Sequence, residues 1–536
     1  MIIKRKCPNC GKTTDVVDEF KMDTFTLTTF ACGHSDVVSV AEQAKGSDIE
    51  EFRSADGKKL FPYQCKGVDF LQKSNFRALV ADEMGLGKTA QSLVPIALNP
   101  EELLPAIAVV KSVAKINWSR ESIRWGKVIP QVIGKTKDVI HPMFKLHIFS
   151  YDMLTRMMNG KVRKDFDEIR ERCKLVIIDE THLIKNPETD RANAVKKLVA
   201  GDEFVDGRKF PAIPHVEGLS GTPFKNSAAE YFTILNILHP EKYYRQTQFC
   251  SNHVQSVWNG RAWKYGGLKY PDEFKEMTKD YIIRRTMNEV FPELPDVFKM
   301  PIFAELEDRV SEIYDSEAAQ FAEYYDEHFG DVGFQTNILA MMSRLRHITS
   351  LAKIDTTIDK TVEFLGSTDR KLIIFVHHHD TRDILAERLD KVLAELELGK
   401  CCVLTANDKN PQSRIDEFEK SDDRIIILST LSHGESLNLQ FMSDSILHER
   451  QWNPANEDQA ISGRIKRIGQ KASHLQCIIP IAVGTIDEFF AELVEQKRQY
   501  FESSMSGGEA QPWNETSLMM ELAAILAEKG RAKWKI

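Results

Sequence analysis

ADEMGLGKTAQS (81–92) decides the fold, because it joins a short apolar run to a helix-forming run through a glycine-rich turn. Gly85 and Gly87 allow the backbone to curl so that its N–H groups face an anion, and the dipole of the following helix adds to that attraction. In such a loop Lys88 would reach the β- and γ-phosphates of a nucleotide, and the Thr89 hydroxyl would bind Mg²⁺. The nucleotide-binding candidates in this stretch are Met84, Gly85, Leu86, Gly87, Lys88, Thr89 and Ala90.

The loop departs from the strict phosphate-binding pattern at Asp82, where that pattern has glycine. A glycine-rich turn without a ligand is the alternative interpretation, but the order of strand, loop, Gly-Lys-Thr and helix favours the nucleotide site. Upstream, FPYQCKGVDFL (61–71) contains Gln64, whose side-chain amide can bind adenine through paired hydrogen bonds.

A second candidate segment is KLVIIDETH (174–182), in which an apolar run ends in two carboxylates. Asp179 is placed to hold Mg²⁺, normally through water, and Glu180 to polarise the attacking water. His182 either couples the γ-phosphate site to a second lobe or simply packs. An Asp-Glu pair at a strand end is weak evidence alone, but it gains weight behind a phosphate-binding loop.

LSGTPFKN (219–226) supplies small hydroxyl side chains at the end of a further strand. We expect Ser220 and Thr222 to relay hydrogen bonds between the carboxylate site and the interface of the two lobes. In isolation this motif would indicate only a turn.

Length and composition are those of a multidomain globular protein. The 536 residues carry a formal net charge of −8, with 42% hydrophobic and 28% charged residues, so several compact units are expected. No apolar run approaches the roughly 20 residues that span a bilayer. The start, MIIKRKCPNC, lacks a signal-peptide core, and nine scattered cysteines indicate free thiols, so we expect a soluble, intracellular protein with no membrane partner.

The chain alternates short apolar runs with helical patterns in two regions, which is typical of parallel sheets covered by helices. The predicted fold is α/β, with two RecA-like parallel-sheet lobes, helical insertions and a small N-terminal zinc ribbon. The predicted units are a ribbon (1–45), an ATP-binding lobe (46–240), a helical insert (241–355), a second lobe (356–500), and a linker with a C-terminal helix (501–536).

SGRIKRIGQ (462–470) places Arg464 and Arg467 three residues apart, so on a helix they would share a face and one target. A solvated basic face is the alternative. The ordered motifs PYQ, DEMGLGKT, DETH, SGTP, GESLNL, WNPANEDQA and GRIKRIGQ resemble the Swi/Snf-type ATPases of helicase superfamily two, over about residues 60 to 500. The resemblance implies that both arginines are arginine fingers and that Gln459 lines the same nucleotide cleft.

Within that family, IIRRTMNEVFPELPD (282–296), MSRLRHITSLAKI (342–354) and IIFVHHHD (373–380) resemble the annealing-helicase branch, which remodels forks. The polar character of DSILHER (444–450) departs from the usual strand. The aromatic and cationic residues of the insert, including Trp258, Trp263 and Lys264, either contact nucleic acid or belong to a packed helical protrusion.

The family tracks double-stranded DNA mainly through its phosphates. Polar residues just past strand ends are therefore the DNA-binding candidates. They are Lys111, Ser112, Ser150 and Tyr151 in the first lobe, and His377, His378, Thr430, Gly434 and Asn438 in the second. For each of them a role in capping the next helix is the alternative.

The N-terminal unit contains CPNC (7–10) and CGH (32–34). Cys7, Cys10, Cys32 and His34 have the spacing of a zinc ribbon, in which a structural Zn²⁺ stabilises a unit too small for its own core. Free thiols are the alternative. Such a ribbon could bind DNA or a protein partner.

The sequence therefore predicts an ATP-dependent, Mg²⁺-requiring translocase on double-stranded DNA that acts at forks or against bound proteins. A strand-separating DNA or RNA helicase is one alternative. A nucleic-acid-binding scaffold without hydrolysis is another, although the intact Lys88, Asp179, Glu180, Arg464 and Arg467 argue against it.

Overall fold

The structure is a computed structural model of the chain. The residues that it describes are 4–6, 13–22, 25–30, 35–39, 49–160, 163–201, 210–223, 227–258, 263–405, 408, 411–430, 437–467, 469–506 and 515–534.

Two compact units make up the chain, and each is described by itself. The first contains residues 1–224, 229–249 and 272–290. The second contains residues 225–228, 250–271 and 291–536.

The first unit begins with a four-stranded antiparallel sheet in the order β1-β2-β3-β4. Its strands are β1 (Lys4–Lys6), β2 (Thr13–Met22), β3 (Phe25–Phe30) and β4 (Ser35–Ser39).

The helices and strands that follow build the body of the first unit. They are α1 (Pro62–Lys73), β5 (Arg77–Val80), α2 (Lys88–Leu98), α3 (Pro100–Leu103), β6 (Ala106–Val110), α4 (Lys115–Arg124), β7 (Pro130–Val132), β8 (Leu146–Ser150), α5 (Tyr151–Asn159), α6 (Lys164–Arg172), β9 (Leu175–Asp179), α7 (Asp190–Ala200), β10 (His215–Leu219), α8 (Tyr231–Leu238) and α9 (Gln246–His253), whose last residues enter the second unit.

The continuous apolar runs of these segments form a parallel sheet in the order β13-β5-β10-β9-β6-β8-β7, which includes the short strand β13 introduced below. The inner strands are buried on both faces, as β6 and β10 illustrate, because helices cover both sides. Strands β5, β10 and β9 are adjacent, and Leu219 is in register with both Val80 and Asp179. The three candidate motifs that follow these strands therefore leave the sheet at one edge.

Residues 254–304 contain strands where the sequence reading expected helices and aromatic-rich loops. The elements are β11 (Val254–Trp258), β12 (Trp263–Leu268), α10 (Pro271–Thr278), β13 (Ile282–Ile283), α11 (Met287–Val290) and β14 (Val297–Ala304). None has a continuous apolar run: β13 has two residues, β14 is an edge strand with alternating exposure, and β11 and β12 form an antiparallel hairpin. Their pattern therefore gave no signal of a buried parallel strand.

The second unit continues with long helices and a second parallel sheet. Its remaining elements are α12 (Asp308–His328), α13 (Phe334–Ala352), α14 (Ile354–Ser367), β15 (Leu372–Val376), α15 (His379–Glu395), β16 (Cys401–Val403), α16 (Pro411–Lys420), β17 (Ile425–Ser429), β18 (Asp444–Leu447), α17 (Pro454–Ala460), α18 (Ser462–Ile465), β19 (Leu475–Ala482), α19 (Ile486–Ser506) and α20 (Glu515–Trp534).

The sheet of the second unit has the order β14-β19-β18-β15-β17-β16, and its strand pairs are parallel. The apolar runs of the second unit that predict strands all form strands: 371–376, 401–406, 424–430, 444–450 and 475–483. So do those of the first unit: 77–82, 106–111, 146–151, 174–180 and 216–222. The predicted C-terminal helix is α20, which packs on α12 through buried residues such as Leu522 and Ala523. Helix α19 extends to Ser506, into the segment expected to be a linker.

Two negative findings apply to the described residues. None of the helices there is long and apolar enough to cross a membrane. The six cysteines within the described ranges are all free thiols, in agreement with the expectation from their spacing.

Candidate functional site

The phosphate-binding loop connects β5 to α2 and turns through two glycines with positive φ. Gly85 has φ +88° and Gly87 has φ +71°, and α2 begins at Lys88 directly after them. A Cβ atom at Gly87 would lie 2.4 Å from Nε2 of Gln64, so both conformation and space require glycine there. Lys88 Nζ donates to the carbonyl oxygens of Asp82 and Glu83, at 2.8 and 3.3 Å, so the amine lies inside the loop.

Helix α1 holds this loop from the side through one main-chain oxygen. Tyr63 Oη and Gln64 Nε2 both donate to the Leu86 carbonyl, at 2.8 and 3.2 Å. Gln64 Oε1 accepts from the Phe61 N–H at 3.0 Å, which caps the helix. Both ends of the Gln64 amide are thus bonded within the protein, and a role in binding adenine stays a prediction.

Asp82, the departure from the strict loop pattern, is the buried centre of an ion pair that the sequence reading missed. Arg285 donates from Nε to Oδ1 at 2.9 Å and from Nη2 to Oδ2 at 2.5 Å, and Gln91 Nε2 donates to the same carboxylate at 3.1 Å. A bidentate guanidinium gives this carboxylate a fixed orientation. The available signal was IIRRT (282–286), in which a charged pair follows a two-residue strand at the sheet edge.

The carboxylate of Asp179 is held by an indole that sequence reasoning also missed. Trp118 Nε1, on the buried face of α4, donates to Asp179 Oδ2 at 2.7 Å. The hydroxyl of Tyr151 donates to the Asp179 main-chain oxygen at 2.5 Å. These two hydrogen bonds fix the end of β9, where the Mg²⁺ ligand Asp179 was predicted.

Glu180 follows in the left-handed region, with φ +56°, an uncommon conformation for a residue other than glycine. Such strain is found preferentially at functional sites. Glu180 Oε2 lies 3.2 Å from His182 Nδ1, and the His182 ring is buried. The structure thus places the predicted coupling histidine beside the predicted general base.

The SGTP segment lies against the phosphate-binding loop. A Cβ atom at Gly221 would be 2.5 Å from Met84 Cγ and 3.3 Å from Lys88 Nζ, so only glycine allows this approach. Ser220 is buried, and its hydroxyl accepts from the Thr222 N–H at 3.3 Å. The predicted coupling residues are therefore next to the predicted phosphate site.

In the second unit Arg464 and Arg467 share a target, but not by the predicted geometry. Helix α18 ends at Ile465, so Arg467 lies beyond it and the two residues are not on one helix face. Nonetheless Nη1 of Arg464 and Nη1 of Arg467 both donate to the Leu437 carbonyl, at 3.3 and 2.8 Å, and Arg467 also binds Asn438 Oδ1 at 2.9 Å. Instead of sharing a helical face, the two arginines, one buried and one half-buried, donate to the same loop carbonyl.

A buried ion network fixes the segment that precedes these arginines. Arg450 donates to both oxygens of Glu457, at 2.9 and 2.8 Å, and to Glu495 on α19 at 2.5 Å. Arg498 binds Glu457 at 3.0 Å as well. Helix α17 is therefore anchored to β18 and α19, and Gln459 on that helix is buried.

The polar strand end after β18 is explained by partners on neighbouring elements. Glu449 accepts from the His377 and His378 N–H groups, at 2.5 and 3.0 Å, and lies 3.0 Å from His378 Nδ1. Burial alone raises the pKa of Glu449, but these bonds outweigh it and hold the pKa well below its usual range. Burial lowers the pKa of His448 to about 4, so that ring is neutral at physiological pH.

The DNA-binding candidates of the first unit fall into two groups. Lys111 and Ser112 lie at the start of a 3-10 turn after β6 and are partly exposed. Ser150 is buried and caps α5 by accepting from the Met153 N–H at 3.3 Å, and Tyr151 is buried against Asp179. DNA contact by any of these four stays a prediction.

The candidates of the second unit are mostly engaged within it. His377 and His378 bind Glu449, Asn438 binds Arg467, and Thr430 is buried. Gly434 lies outside the described residues.

The proposed zinc ligands Cys7, Cys10, Cys32 and His34 also lie outside the described residues. Among the residues that are described, no group of three or more His, Cys, Asp or Glu side chains could hold a metal ion.

Comparison with protein families gives two matches. The model of the SNF2-related domain matches residues 63–353, and that of the helicase conserved C-terminal domain matches residues 353–469.

Among curated proteins, the chain is 26% identical over 495 residues to the DNA annealing helicase and endonuclease ZRANB3 of Bos taurus, covering 89% of this chain and 44% of that protein. It is also 26% identical to the SWI/SNF-related matrix-associated actin-dependent regulator of chromatin subfamily A-like protein 1 of Xenopus tropicalis, covering 88% of this chain and 48% of that protein. The chain thus spans less than half the length of these relatives. Among solved structures, the Sulfolobus solfataricus SWI2/SNF2 ATPase core in complex with dsDNA is 23% identical, with a TM-score of 0.38 and coverage of 88% of this chain and 96% of that one.

Proposed function

Because the chain belongs to the SNF2-related family, we propose that it is a DNA-dependent ATPase that uses ATP hydrolysis to move along double-stranded DNA. The observation that carries the proposal is the meeting of three motif loops at one sheet edge. There a Cβ atom at Gly221 would lie 2.5 Å from Met84 Cγ and 3.3 Å from Lys88 Nζ, and Asp179 ends β9 in register with Leu219 of the adjacent strand β10.

Lys88 is the proposed phosphate-binding cation. Its Nζ donates to the main-chain oxygens of Asp82 and Glu83, and an anion entering the loop would replace these bonds with a stronger, charge-assisted interaction. The left-handed glycines fit a phosphate because they direct successive N–H groups into the same concavity.

Thr89 and Asp179 would hold Mg²⁺, which when bound would neutralise charge on the phosphate oxygens. The hydroxyl and carboxylate are oxygen donors of the kind Mg²⁺ takes. Trp118 holds Asp179 by one carboxylate oxygen only, through a single N–H. We assign Glu180, beside His182, the role of orienting the attacking water.

Arg464 and Arg467 are the proposed arginine fingers. A planar, permanently charged guanidinium suits the charge that spreads over the oxygens during phosphoryl transfer. Their common partner, the Leu437 carbonyl, is neutral. Giving up that bond to turn toward a phosphate would cost each arginine roughly 1.5–3 kcal/mol, and Arg467 would also leave Asn438. Gln459 on α17 is proposed to line the nucleotide site.

Double-stranded DNA is the proposed substrate, with phosphate contacts from the loops that follow the parallel strands. Two relatives carry names that describe a DNA annealing helicase and a chromatin regulator-like protein. On that basis we propose remodelling of forked DNA as the finer function. Such a task also implies that the protein works inside the cell.

A structural Zn²⁺ at Cys7, Cys10, Cys32 and His34 remains part of the proposal. The antiparallel strands β2 and β3 lie between the two ligand pairs in sequence, as in a ribbon. Metal analysis of the purified protein should find about one zinc per chain, and a Cys7→Ser/Cys10→Ser variant should lose it; zinc-free wild-type protein would exclude the site. The ribbon could then serve a protein partner or DNA.

The test of the motor is a steady-state ATPase assay with no nucleic acid, blunt duplex DNA, single-stranded DNA, forked DNA and RNA. Strong stimulation by duplex supports the translocase, and a further increase with forks supports the remodelling function. Stimulation by single strands or RNA alone would instead indicate a strand-separating helicase. An absence of hydrolysis under all five conditions would leave the scaffold interpretation.

A further inference from the structure

The hairpin β11–β12 carries two exposed tryptophans at its far end. Trp258 and Trp263 are 52% and 57% exposed, and they are directly paired across the two strands with ring centroids 5.5 Å apart. In contrast, Trp118 and Trp125 in the first unit are buried. Large aromatic side chains normally lose their water contact on folding, so an exposed pair indicates a binding surface.

Burial decreases steadily along this hairpin. Val254 and Leu268, which are paired at its base, are 0% and 8% exposed, and β12 packs against α19 of the same unit. The base is therefore anchored in the core, while the tryptophan pair projects from it. This arrangement holds the indoles in place and leaves about half of each side chain exposed.

The sequence around the hairpin is free of acidic residues. Residues 242–271 contain five lysines and arginines and no aspartate or glutamate. A stretch of that length would contain about four acidic residues at the overall proportion of 79 in 536. A cationic segment in a chain of net charge −8 is complementary to a polyanion.

We infer that the Trp258–Trp263 pair is a stacking surface for unpaired bases of DNA, with Lys264 and its cationic neighbours attracting the phosphates. Aromatic side chains interleaved with cations bind single strands because every base has a π face. In a continuous duplex those faces are covered by neighbouring base pairs, so the surface would act where strands are unpaired, as at a fork. The inference rests on the proposed DNA motor and adds the part of the substrate that the hairpin recognises.

The probes are a fluorescein-labelled blunt duplex, the same duplex with a single-stranded tail, and the same duplex with an abasic tail of equal length. The abasic tail keeps the phosphates and removes the bases. Fluorescence anisotropy should show about ten-fold tighter binding of wild-type protein to the base-containing tail than to the abasic tail.

Two double variants separate stacking from general hydrophobicity. Trp258→Leu/Trp263→Leu should lose the preference for bases, whereas Trp258→Phe/Trp263→Phe should keep most of it, because only phenylalanine offers a ring. Both should keep the unfolding midpoint and the duplex-stimulated ATPase rate of the wild type.

Equal binding of the two tails by wild-type protein would overturn the inference, and so would a leucine variant that retains the preference. The latter result would mean that the bases are recognised elsewhere on the protein. Failure of the motor proposal is recognised separately, because wild-type protein would then show no DNA-stimulated hydrolysis on any of the three probes.

Discussion

The two parallel sheets hold the polar residues at their carboxyl edges in different ways. In the first unit Lys88 is bonded to main-chain carbonyls of its own loop. In the second unit Arg450 and Glu449 are bonded to charged or ionisable side chains on other elements. A neutral carbonyl is exchanged for a ligand at small cost, whereas separating a buried ion pair leaves an uncompensated charge. Lys88 is therefore suited to exchanging its carbonyl partners for a ligand, although Asp82 in the same loop is held by a buried ion pair with Arg285. The ion network around Arg450 is suited to positioning the segment that precedes Arg464 and Arg467.

The largest effect should come from Lys88→Ala, because Lys88 is the residue proposed to exchange its carbonyl partners for a phosphate. Loss of the cation should decrease ATP turnover by on the order of 10³ or more. The unfolding midpoint should stay close to that of the wild type, since the Asp82 and Glu83 carbonyls that the amine leaves are neutral. Steady-state ATPase and calorimetry check this. The control is Lys73→Ala, which removes an exposed lysine paired with Asp69 and should change neither the ATPase rate nor the unfolding midpoint. A Lys88→Ala variant that hydrolyses ATP normally would contradict the proposed role of Lys88.

Whereas Lys88→Ala should mainly decrease turnover, Glu457→Ala in the second unit should mainly decrease the stability of the protein. It leaves Arg450 and Arg498 without their shared carboxylate, and breaking such a buried network costs about 3–5 kcal/mol. Chemical denaturation measures the loss. Glu363→Ala, which removes an exposed partner of Lys360, should change little, and equal destabilisation by both substitutions would contradict the account.

Trp118→Phe sharpens the comparison, since it removes one donor to the Asp179 carboxylate and keeps the aromatic packing. We expect about a ten-fold lower turnover and a higher Mg²⁺ requirement, because the carboxylate loses its orientation. A Mg²⁺ titration of the ATPase rate tests this. Trp125→Phe is the matched control, and an unchanged Mg²⁺ dependence in the Trp118 variant would show that the indole only packs.

The last effect depends on pH and concerns Glu217, which is buried beneath α2 in strand β10 and accepts a hydrogen bond from Ser92. Burial raises the pKa of this carboxyl to about 8. Since the folded state keeps the proton that the unfolded chain releases near pH 4.5, this group should lower stability as pH rises from about 4.5 to 8, by up to about 1.4 kcal/mol per pH unit.

Glu217→Gln removes that titration, so the unfolding midpoint of the variant should rise relative to that of the wild type as pH increases from 5 to 8. Glu363→Gln, on an exposed helix face, should show no such trend. A constant difference between Glu217→Gln and wild type across this range would mean that Glu217 is not protonated in the folded state.

Ten strands of the two sheets were predictable because each is a short apolar run between helical patterns. The turn through Gly85 and Gly87 before helix α2 was predictable as well, since glycine readily adopts the positive φ that this turn requires. The partners were not: Arg285 and Trp118 lie 203 and 61 residues from the carboxylates they bind, and nothing local marks a side chain for a contact across the sheet. Strand β14 was missed because its exposed edge gives an alternating pattern.

The interpretation of Arg464 and Arg467 shows the same limit. Their spacing correctly indicated a shared target, but the helix that was expected to create it ends at Ile465. The convergence comes from the loop oxygen of Leu437, which sequence spacing does not show.

The most direct test of the account is the duplex-stimulated ATPase rate of Arg467→Ala, measured beside its affinity for a fluorescent ATP analogue. The account predicts nucleotide affinity within a few-fold of wild type and turnover lower by on the order of 10³, since the residue would act on the reaction and not on binding. Normal turnover in this variant, with the fold intact, would contradict the claim that residues of the second unit take part in hydrolysis.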